Sequence, residues 1–195
     1  MIIGNGTVDE RHARTIDAAD FVIRFNDCRS YVTSGTRTDV VAVCNTGRPA
    51  KAMLESLEWH NHPAVIGATE IWCVRGGAKF AAMRPFINIL HPELWDLCDD
   101  KTQDFHRFCA DTGKKCVEIG LAIHEWVDGA LQAFDPAPYI APSSGMIVIA
   151  SVLQLFPSAM TTIAGFSHVG WKHHPFVAER QLIDSYVGAG KLVRL

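Results

Sequence analysis

The feature that most constrains the fold is a regular alternation of short β-branched runs with longer helical stretches. Runs rich in Val, Ile, Phe and Thr predict strands at 1–4, 21–25, 39–44, 71–74, 115–119 and 161–164. The intervening segments predict helices at 10–18, 49–59, 92–111, 121–134, 145–155 and 175–186. This order predicts a single-domain (1–195) α/β, Rossmann-like fold with a mostly parallel central sheet covered by helices on both faces.

Charge and hydropathy exclude several classes of protein. The chain has 18 Lys and Arg against 21 Asp and Glu. Because it has no surplus of basic residues, its charge gives no support for nucleic-acid binding. No stretch approaches the ~20 apolar residues that span a bilayer, and the N-terminus lacks a basic-then-apolar signal. We therefore expect a cytoplasmic protein with no transmembrane segment. The six cysteines form no C-x-x-C pair and are expected to be reduced and mostly buried.

Two asparagines follow the first two predicted strands. Asn5 lies between Gly4 and Gly6, and Asn26 ends the second strand, so neighbouring strands would place them together. Glycines here allow either a close ligand approach or an ordinary tight turn. The third glycine of a dinucleotide-binding fingerprint is replaced by Asp9. Asparagine offers a donor and an acceptor, which suits a nucleobase edge or a ribose.

A serine pair precedes the most apolar predicted helix. Ser143, Ser144 and Gly145 follow a proline-rich loop and lead into a helix that is apolar nearly all round. The arrangement is typical of an N-cap, and a helix N-terminus with serine hydroxyls also suits a phosphate. Both interpretations remain open from the residues alone.

Three histidines follow the last predicted strand within seven residues: His168, His173 and His174. His174 precedes Pro175 and should lie in a loop at the mouth of a helix. Zinc binding is an alternative, but no nearby carboxylate or thiol completes a familiar ligand spacing, and no D-x-D pair is present. We therefore predict no metal site. The other histidines are interpreted as surface or packing residues: His12, His60, His62, His91, His106 and His124.

Together these stretches resemble the sialyltransferases of glycosyltransferase family twenty-nine. The large motif of that family is similar to 3–6, 16–26 and 35–39, and its small motif is similar to 142–146 running to 162–166. The last motif, a histidine and a glutamate separated by four residues, matches His174 and Glu179. These segments cover roughly a third of the chain in the order of the family.

The resemblance implies a variant of the single-domain glycosyltransferase fold and a metal-free, inverting transfer without a cofactor. The donor would be sialic acid or a related sugar acid activated by cytidine monophosphate, and the acceptor a glycan or glycolipid. Asn5, Gly6, Asn26, Ser143, Ser144 and Gly145 would bind the nucleotide. His174 would be the general base, with Glu179 beside it, and His168 or His173 would meet the phosphate.

Two other functions compete with this expectation. One is a nucleotide-binding accessory module that has the fold without the catalysis. The other is an NAD-dependent oxidoreductase, which rests only on the strand, glycine and helix at the N-terminus.

Overall fold

A computed structural model describes residues 1–195 as an α/β structure built on one continuous sheet. The strands are β1 (Ile2–Ile3), β2 (Ile23–Phe25), β3 (Val40–Val43), β4 (Glu70–Cys73), β5 (Lys115–Glu118), β6 (Thr161–Ala164) and β7 (Leu192–Arg194). The helices are α1 (Ala13–Asp17), α2 (Gly47–Glu55), α3 (Leu57–His60), α4 (Pro63–Gly67), α5 (Gly77–Leu90), α6 (Thr102–Thr112), α7 (Leu121–Gln132), α8 (Ser144–Leu155) and α9 (Phe176–Gly188). Two single-turn 3-10 helices lie at Glu10–His12 and Pro92–Leu94.

All seven strands are parallel, in the order β5-β4-β3-β2-β1-β6-β7. The chain builds the sheet from β1 towards β5 on one side and then crosses to add β6 and β7 on the other. Parallel sheets of this kind bind ligands at the strand ends where the order reverses. That point lies between β1 and β6, and the predicted fold class is confirmed.

The core lies on both faces of the sheet, because helices cover both. Alternate strand residues point to opposite sides, so Ile71 belongs to one apolar cluster and Trp72 to another. The larger cluster contains the apolar helix α8, in which every residue from 146 to 152 is buried. A strand covered on both faces must be apolar throughout, which explains the continuous β-branched runs. No helix has both the length and the apolar character that a membrane span requires.

The predicted helix at 92–111 is wrong in its first half. The structure has the 3-10 turn Pro92–Leu94, then an irregular segment, and α6 begins only at Thr102. The side chain of Asp100 accepts a hydrogen bond from the backbone N–H of Thr102 at 2.9 Å, which starts the new helix. The amphipathic spacing across 92–111 therefore comes from two separate elements: Leu97 packs into one apolar cluster, and Phe105 packs into another.

Three elements were not predicted: α4, α5 and β7. The composition of α5 obscures it, because Pro85 lies inside the helix and a glycine pair begins it. Only three residues form β7, and they pair with β6 at the sheet edge. Tertiary contacts stabilise these elements more than local preference does.

Candidate functional site

The predicted site residues meet in a cavity of about 530 Å³ at the carboxyl ends of β1, β2 and β6. We call this cavity the cleft. It is lined by nine of the ten predicted residues: Asn5, Gly6, Asn26, Ser143, Ser144, Gly145, His168, His174 and Glu179. The tenth, His173, lies outside it. The cleft coincides with the reversal of strand order, where a parallel sheet is expected to bind a ligand.

The glycines after β1 allow two loops to approach each other. A Cβ atom on Gly4 would lie 2.4 Å from the carbonyl oxygen of Gly165, and one on Gly6 would lie 2.7 Å from the same atom. The backbone N–H of Gly6 donates to that carbonyl at 2.9 Å. The glycine requirement therefore comes from packing between the loops after β1 and β6.

Asn5 joins the loop after β1 to the loop after β2. Its Nδ2 donates to Asp27 Oδ1 at 2.9 Å, and its Oδ1 accepts from the backbone N–H of Arg29 at 3.2 Å. Both ends of the amide are thus bonded within the chain, and the side chain fixes the wall of the cleft.

The side-chain amide of Asn26 is hydrogen-bonded within the chain at only one of its two ends. Its Oδ1 accepts from the backbone N–H of Cys44 at 2.8 Å, and its carbonyl accepts from Trp59 Nε1 at 2.8 Å. The residue has a positive φ of 47°, a conformation that asparagine tolerates better than most residues. Its Nδ2 makes no hydrogen bond within the chain, so the amide has two N–H donors available at the cleft.

Ser143 and Glu179 form a buried brace between α8 and α9. The backbone N–H of Ser143 donates to Glu179 Oε1, and its hydroxyl donates to Oε2, both at 2.6 Å. The same hydroxyl accepts from the backbone N–H of Met146 at 3.2 Å, which caps α8. Burial raises the pKa of Glu179, and the two bonds from Ser143 oppose that rise. Both carboxylate oxygens are therefore engaged in holding the helix start.

The first turn of α8 presents unbonded amides to the cleft. The N–H groups of Ser144 and Gly145 have no acceptor in the chain, as expected for the start of a helix. The ring of Phe166 packs over Gly145, where a Cβ atom would lie 2.6 Å from its Cε1. Amides and the helix dipole together favour an anion at this place.

His174 lines the cleft, and burial favours the neutral form of its imidazole. Its Nδ1 donates to the carbonyl of Ala141 at 2.7 Å, since a carbonyl can only accept. Burial lowers its pKa to about 4, although the bond to Ala141 opposes that change. The other ring nitrogen, Nε2, is left as an acceptor.

The remaining two predicted histidines are placed differently. His168 lines the cleft with a positive φ of 53°, and its buried Nε2 has no hydrogen-bond partner. Burial lowers its pKa. The ring of His173 packs instead against Trp171 and His91, with ring centroids 5.0 and 4.8 Å apart.

A basic residue missed by sequence reasoning borders the cleft. A second cavity of about 410 Å³ shares Asn26, Ser144 and His174 with the cleft and adds Arg75. Arg75 Nη1 donates to Thr46 Oγ1 at 2.8 Å, and the guanidinium has no carboxylate partner. Its position just after β4 is a signal that could have identified it, because all strand ends of the sheet share one edge.

A larger depression, about 1000 Å³, lies between α2 and α6. Several of its charges already pair with each other, as Arg48 does with Asp96 at 2.9 Å and Lys101 with Asp104 at 3.8 Å. Charges that are already paired within the chain leave few groups free to recognise a ligand. The cleft is the better candidate, because the backbone N–H groups of Ser144 and Gly145 have no acceptor within the chain.

One curated relative resembles the chain over its full length. It is the urease operon 23 kDa accessory protein of Rhizobium meliloti (strain 1021), which is 50% identical over 197 residues, covering 100% of this chain and 91% of the relative. No family model matches.

Two solved structures share the fold. Both are crystal structures of a mammalian sialyltransferase, one of them in complex with Gal-beta-1-3GalNAc-ortho-nitrophenol. Their TM-scores are 0.59 and 0.56, each at 16% identity over 100% of this chain and 67% of theirs. At this identity the likeness establishes the fold alone.

The prediction of a sialyltransferase is wrong, and so is the assignment as an enzyme. The relative that shares half of its residues with this chain is an accessory protein. The predicted cytidine-monophosphate-activated donor and the glycan or glycolipid acceptor are overturned with it. Several of the matching motif residues have structural roles within the fold. Gly4 and Gly6 allow the carbonyl of Gly165 to approach closely, and Glu179 accepts two hydrogen bonds from Ser143.

Proposed function

The chain belongs to the family of the urease operon 23 kDa accessory protein, and we propose on this basis that it serves a urease system as a non-catalytic accessory protein. The observation on which the proposal rests is the 50% identity over the whole chain, which spans fold and cleft alike. Similarity of this extent covers surface as well as core positions.

We propose further that the cleft binds a phosphate-bearing small molecule, with a nucleotide as the class that fits best. The unbonded amides of Ser144 and Gly145 would receive the phosphate at the positive end of α8. The free Nδ2 of Asn26 would donate to the base or the sugar. Arg75, which borders the adjoining cavity and has no carboxylate partner, would add positive charge. The volume of about 530 Å³ is within the usual range for a small-molecule site.

The engagement of both Glu179 oxygens by Ser143 is consistent with a structural role for this residue in a binding site. Glu179 holds the loop that presents the amides, and His174 Nε2 offers one acceptor to a ligand hydroxyl or amino group. Asn5 and Gly6 would shape the opposite wall. His168 Nε2, buried without a partner, would be a second acceptor.

Thermal stability of the purified protein tests the binding proposal. A nucleotide should stabilise the protein by about 2.7 kcal/mol at ~100 times its dissociation constant. Ser144→Glu should abolish this effect, because its carboxylate repels a phosphate while remaining compatible with the first turn of a helix. The matched control is Gln103→Glu, which adds the same charge to the exposed first turn of α6. Absence of stabilisation by any nucleotide or by phosphate would refute the binding proposal.

Deletion of the gene from its organism of origin tests the accessory role. Urease activity in extracts should fall and should be restored by the wild-type gene. Restoration by Ser144→Glu as well would separate the accessory role from the cleft. Unchanged urease activity in the deletion strain would contradict the accessory role itself.

A further inference from the structure

Three potential metal ligands meet at a surface beside the cleft. They are His91 at the end of α5, Glu93 in the 3-10 turn that follows, and His173 in the loop before α9. One ligand atom from each lies within 4.8 Å of the other two. About 80 residues separate the first pair from His173 in the chain, so only the tertiary structure brings them together.

The contacts among these side chains favour an ion over a simple polar cluster. His91 Nδ1 lies 3.7 Å from Glu93 Oε1, too far for a hydrogen bond. The imidazole rings of His91 and His173 are 4.8 Å apart between centroids and inclined at 71°. The Nε2 of His173 is buried and has no hydrogen-bond partner. Buried polar atoms are nearly always partnered, and a bound ion would supply the missing contact.

The backbone holds both ligand-bearing segments in place. Arg48 Nη2 donates to the carbonyl of Glu93 at 2.7 Å, and the carbonyl of His173 accepts from the backbone N–H of Ile140 at 3.0 Å. The side chain of Glu93 is 59% exposed and that of His91 is 29% exposed, so both can rotate. A fixed backbone with adjustable side chains is the condition for closing around an ion.

From this geometry we propose that His91, Glu93 and His173 bind a divalent transition-metal ion through two imidazole nitrogens and one carboxylate oxygen. Metal–ligand bonds of about 2.0–2.2 Å place tetrahedral ligand atoms roughly 3.4 Å apart. Rotation of Glu93 and His91 therefore has to shorten separations that now reach as much as 4.8 Å by up to about 1.4 Å. Three protein ligands leave a further position open for water or another molecule.

The ligand types define the class of ion. Imidazole suits zinc, nickel, copper and cobalt, whereas magnesium and calcium prefer oxygen ligands. The site therefore discriminates against Mg²⁺. This proposal does not depend on the accessory role or on ligand binding in the cleft, since it concerns residues outside the cleft.

Trp171 provides an optical readout. Its ring centroid lies 5.0 Å from that of His173, so a paramagnetic ion at the site should quench its fluorescence. Metal-free protein without an affinity tag is titrated with Zn²⁺, Ni²⁺, Co²⁺ and Mg²⁺, and stoichiometry is measured by calorimetry. We expect one transition-metal ion per chain, quenching by Ni²⁺ and Co²⁺, and no binding of Mg²⁺.

Variants assign the binding to these residues. His91→Ala, Glu93→Gln and His173→Ala should each weaken binding by about 10- to 100-fold or more. Glu93→Gln preserves the fold, because the side chain is exposed and nearly isosteric. The matched control is His106→Ala, which removes a histidine paired with Glu118 at 2.7 Å elsewhere on the surface. No binding by the wild type, unchanged affinity in Glu93→Gln and His91→Ala, or equal loss in His106→Ala would each overturn the proposal.

Discussion

Arg24 is a fully buried charge without a carboxylate partner. It lies in β2, and its guanidinium donates to the side chains of Thr38 and Ser34 and to the carbonyl oxygens of Arg37, Ser34 and Gly35, at 2.6 to 3.2 Å. Burial lowers the pKa of the guanidinium. Planar geometry with five N–H donors allows it to bond several neutral acceptors at once.

We therefore expect Arg24→Lys to lower the free energy of unfolding by on the order of 3 kcal/mol, since an ammonium group can satisfy fewer of these acceptors. Urea denaturation measures the change. Arg14→Lys, at an exposed position of α1, is the control and should stay within about 0.5 kcal/mol of the wild type. Equal effects of the two substitutions would mean that the bonds to Arg24 contribute nothing.

We expect removal of the Glu179 carboxylate to lower the stability of the folded protein. Glu179→Ala leaves the backbone N–H of Ser143 without its acceptor and should lower the free energy of unfolding by about 1–3 kcal/mol. Glu179→Gln retains an acceptor for that N–H and a donor for the hydroxyl. Denaturation at neutral pH should therefore rank alanine well below glutamine, and the opposite order would contradict the brace.

The pH dependence of stability follows from the direction of the shift at Glu179. Burial raises its pKa above the ordinary value of 4.5, so the folded state binds the proton more tightly than the unfolded state. Its contribution is complete below about pH 4.5 and is lost as pH rises through the folded pKa. The wild type should thus lose stability relative to Glu179→Gln over this interval. The free energy of unfolding of the two proteins is measured by denaturation at each pH. If it changes with pH in parallel for both, the pKa of Glu179 is not raised.

Among the helices, two glycines within α7 and α8 have opposite roles. Gly145, in the first turn of α8, packs under Phe166, whereas a Cβ atom on Gly129 in α7 would have nothing within 4 Å. Gly145→Ala should force the ring aside and destabilise the protein by about 1–3 kcal/mol. Gly129→Ala should stabilise it by about 0.5–1 kcal/mol, because alanine favours a helix interior. Melting temperatures that move in the same direction for both would refute this assignment.

The start of α8 also explains why one motif fits two interpretations. Ser143 caps the helix, as any N-cap serine does, and the amides after it remain free for an anion. Capping and anion binding use different groups of the same turn. The alternatives left open by the sequence are therefore compatible with each other.

Across the molecule as a whole, the sheet separates two apolar clusters. Ile149 of α8 belongs to the cluster on one face, and Ile71 of β4 points to the cluster on the other; both are fully buried. Each Ile→Val substitution should cost about 0.5–1.5 kcal/mol. The double variant should match the sum within about 0.5 kcal/mol, because the two sites share no partners. A larger deviation in urea denaturation would show that the sheet couples its faces.

Local patterns along the chain were enough to predict the fold class and the place of the cleft. Hydrophobic periodicity and turn residues are local signals, and a parallel sheet brings its strand ends to one edge, so Asn5, Asn26 and Ser143 could be grouped without coordinates. The same patterns did not predict short or atypical elements such as β7 and the proline-containing α5, because the stability of these elements comes from contacts distant in the chain.

The role of each residue, in contrast, became clear only from its contacts in the folded protein. A histidine and a glutamate at motif spacing suggested catalysis, yet both oxygens of Glu179 are bound to Ser143 and hold the start of α8. Likewise no local sequence pattern could predict that the side chains of His91 and His173 lie together. The identity of a side chain limits the chemistry available to it, but its partners select among those possibilities, and partners are set by the packing of segments far apart in sequence.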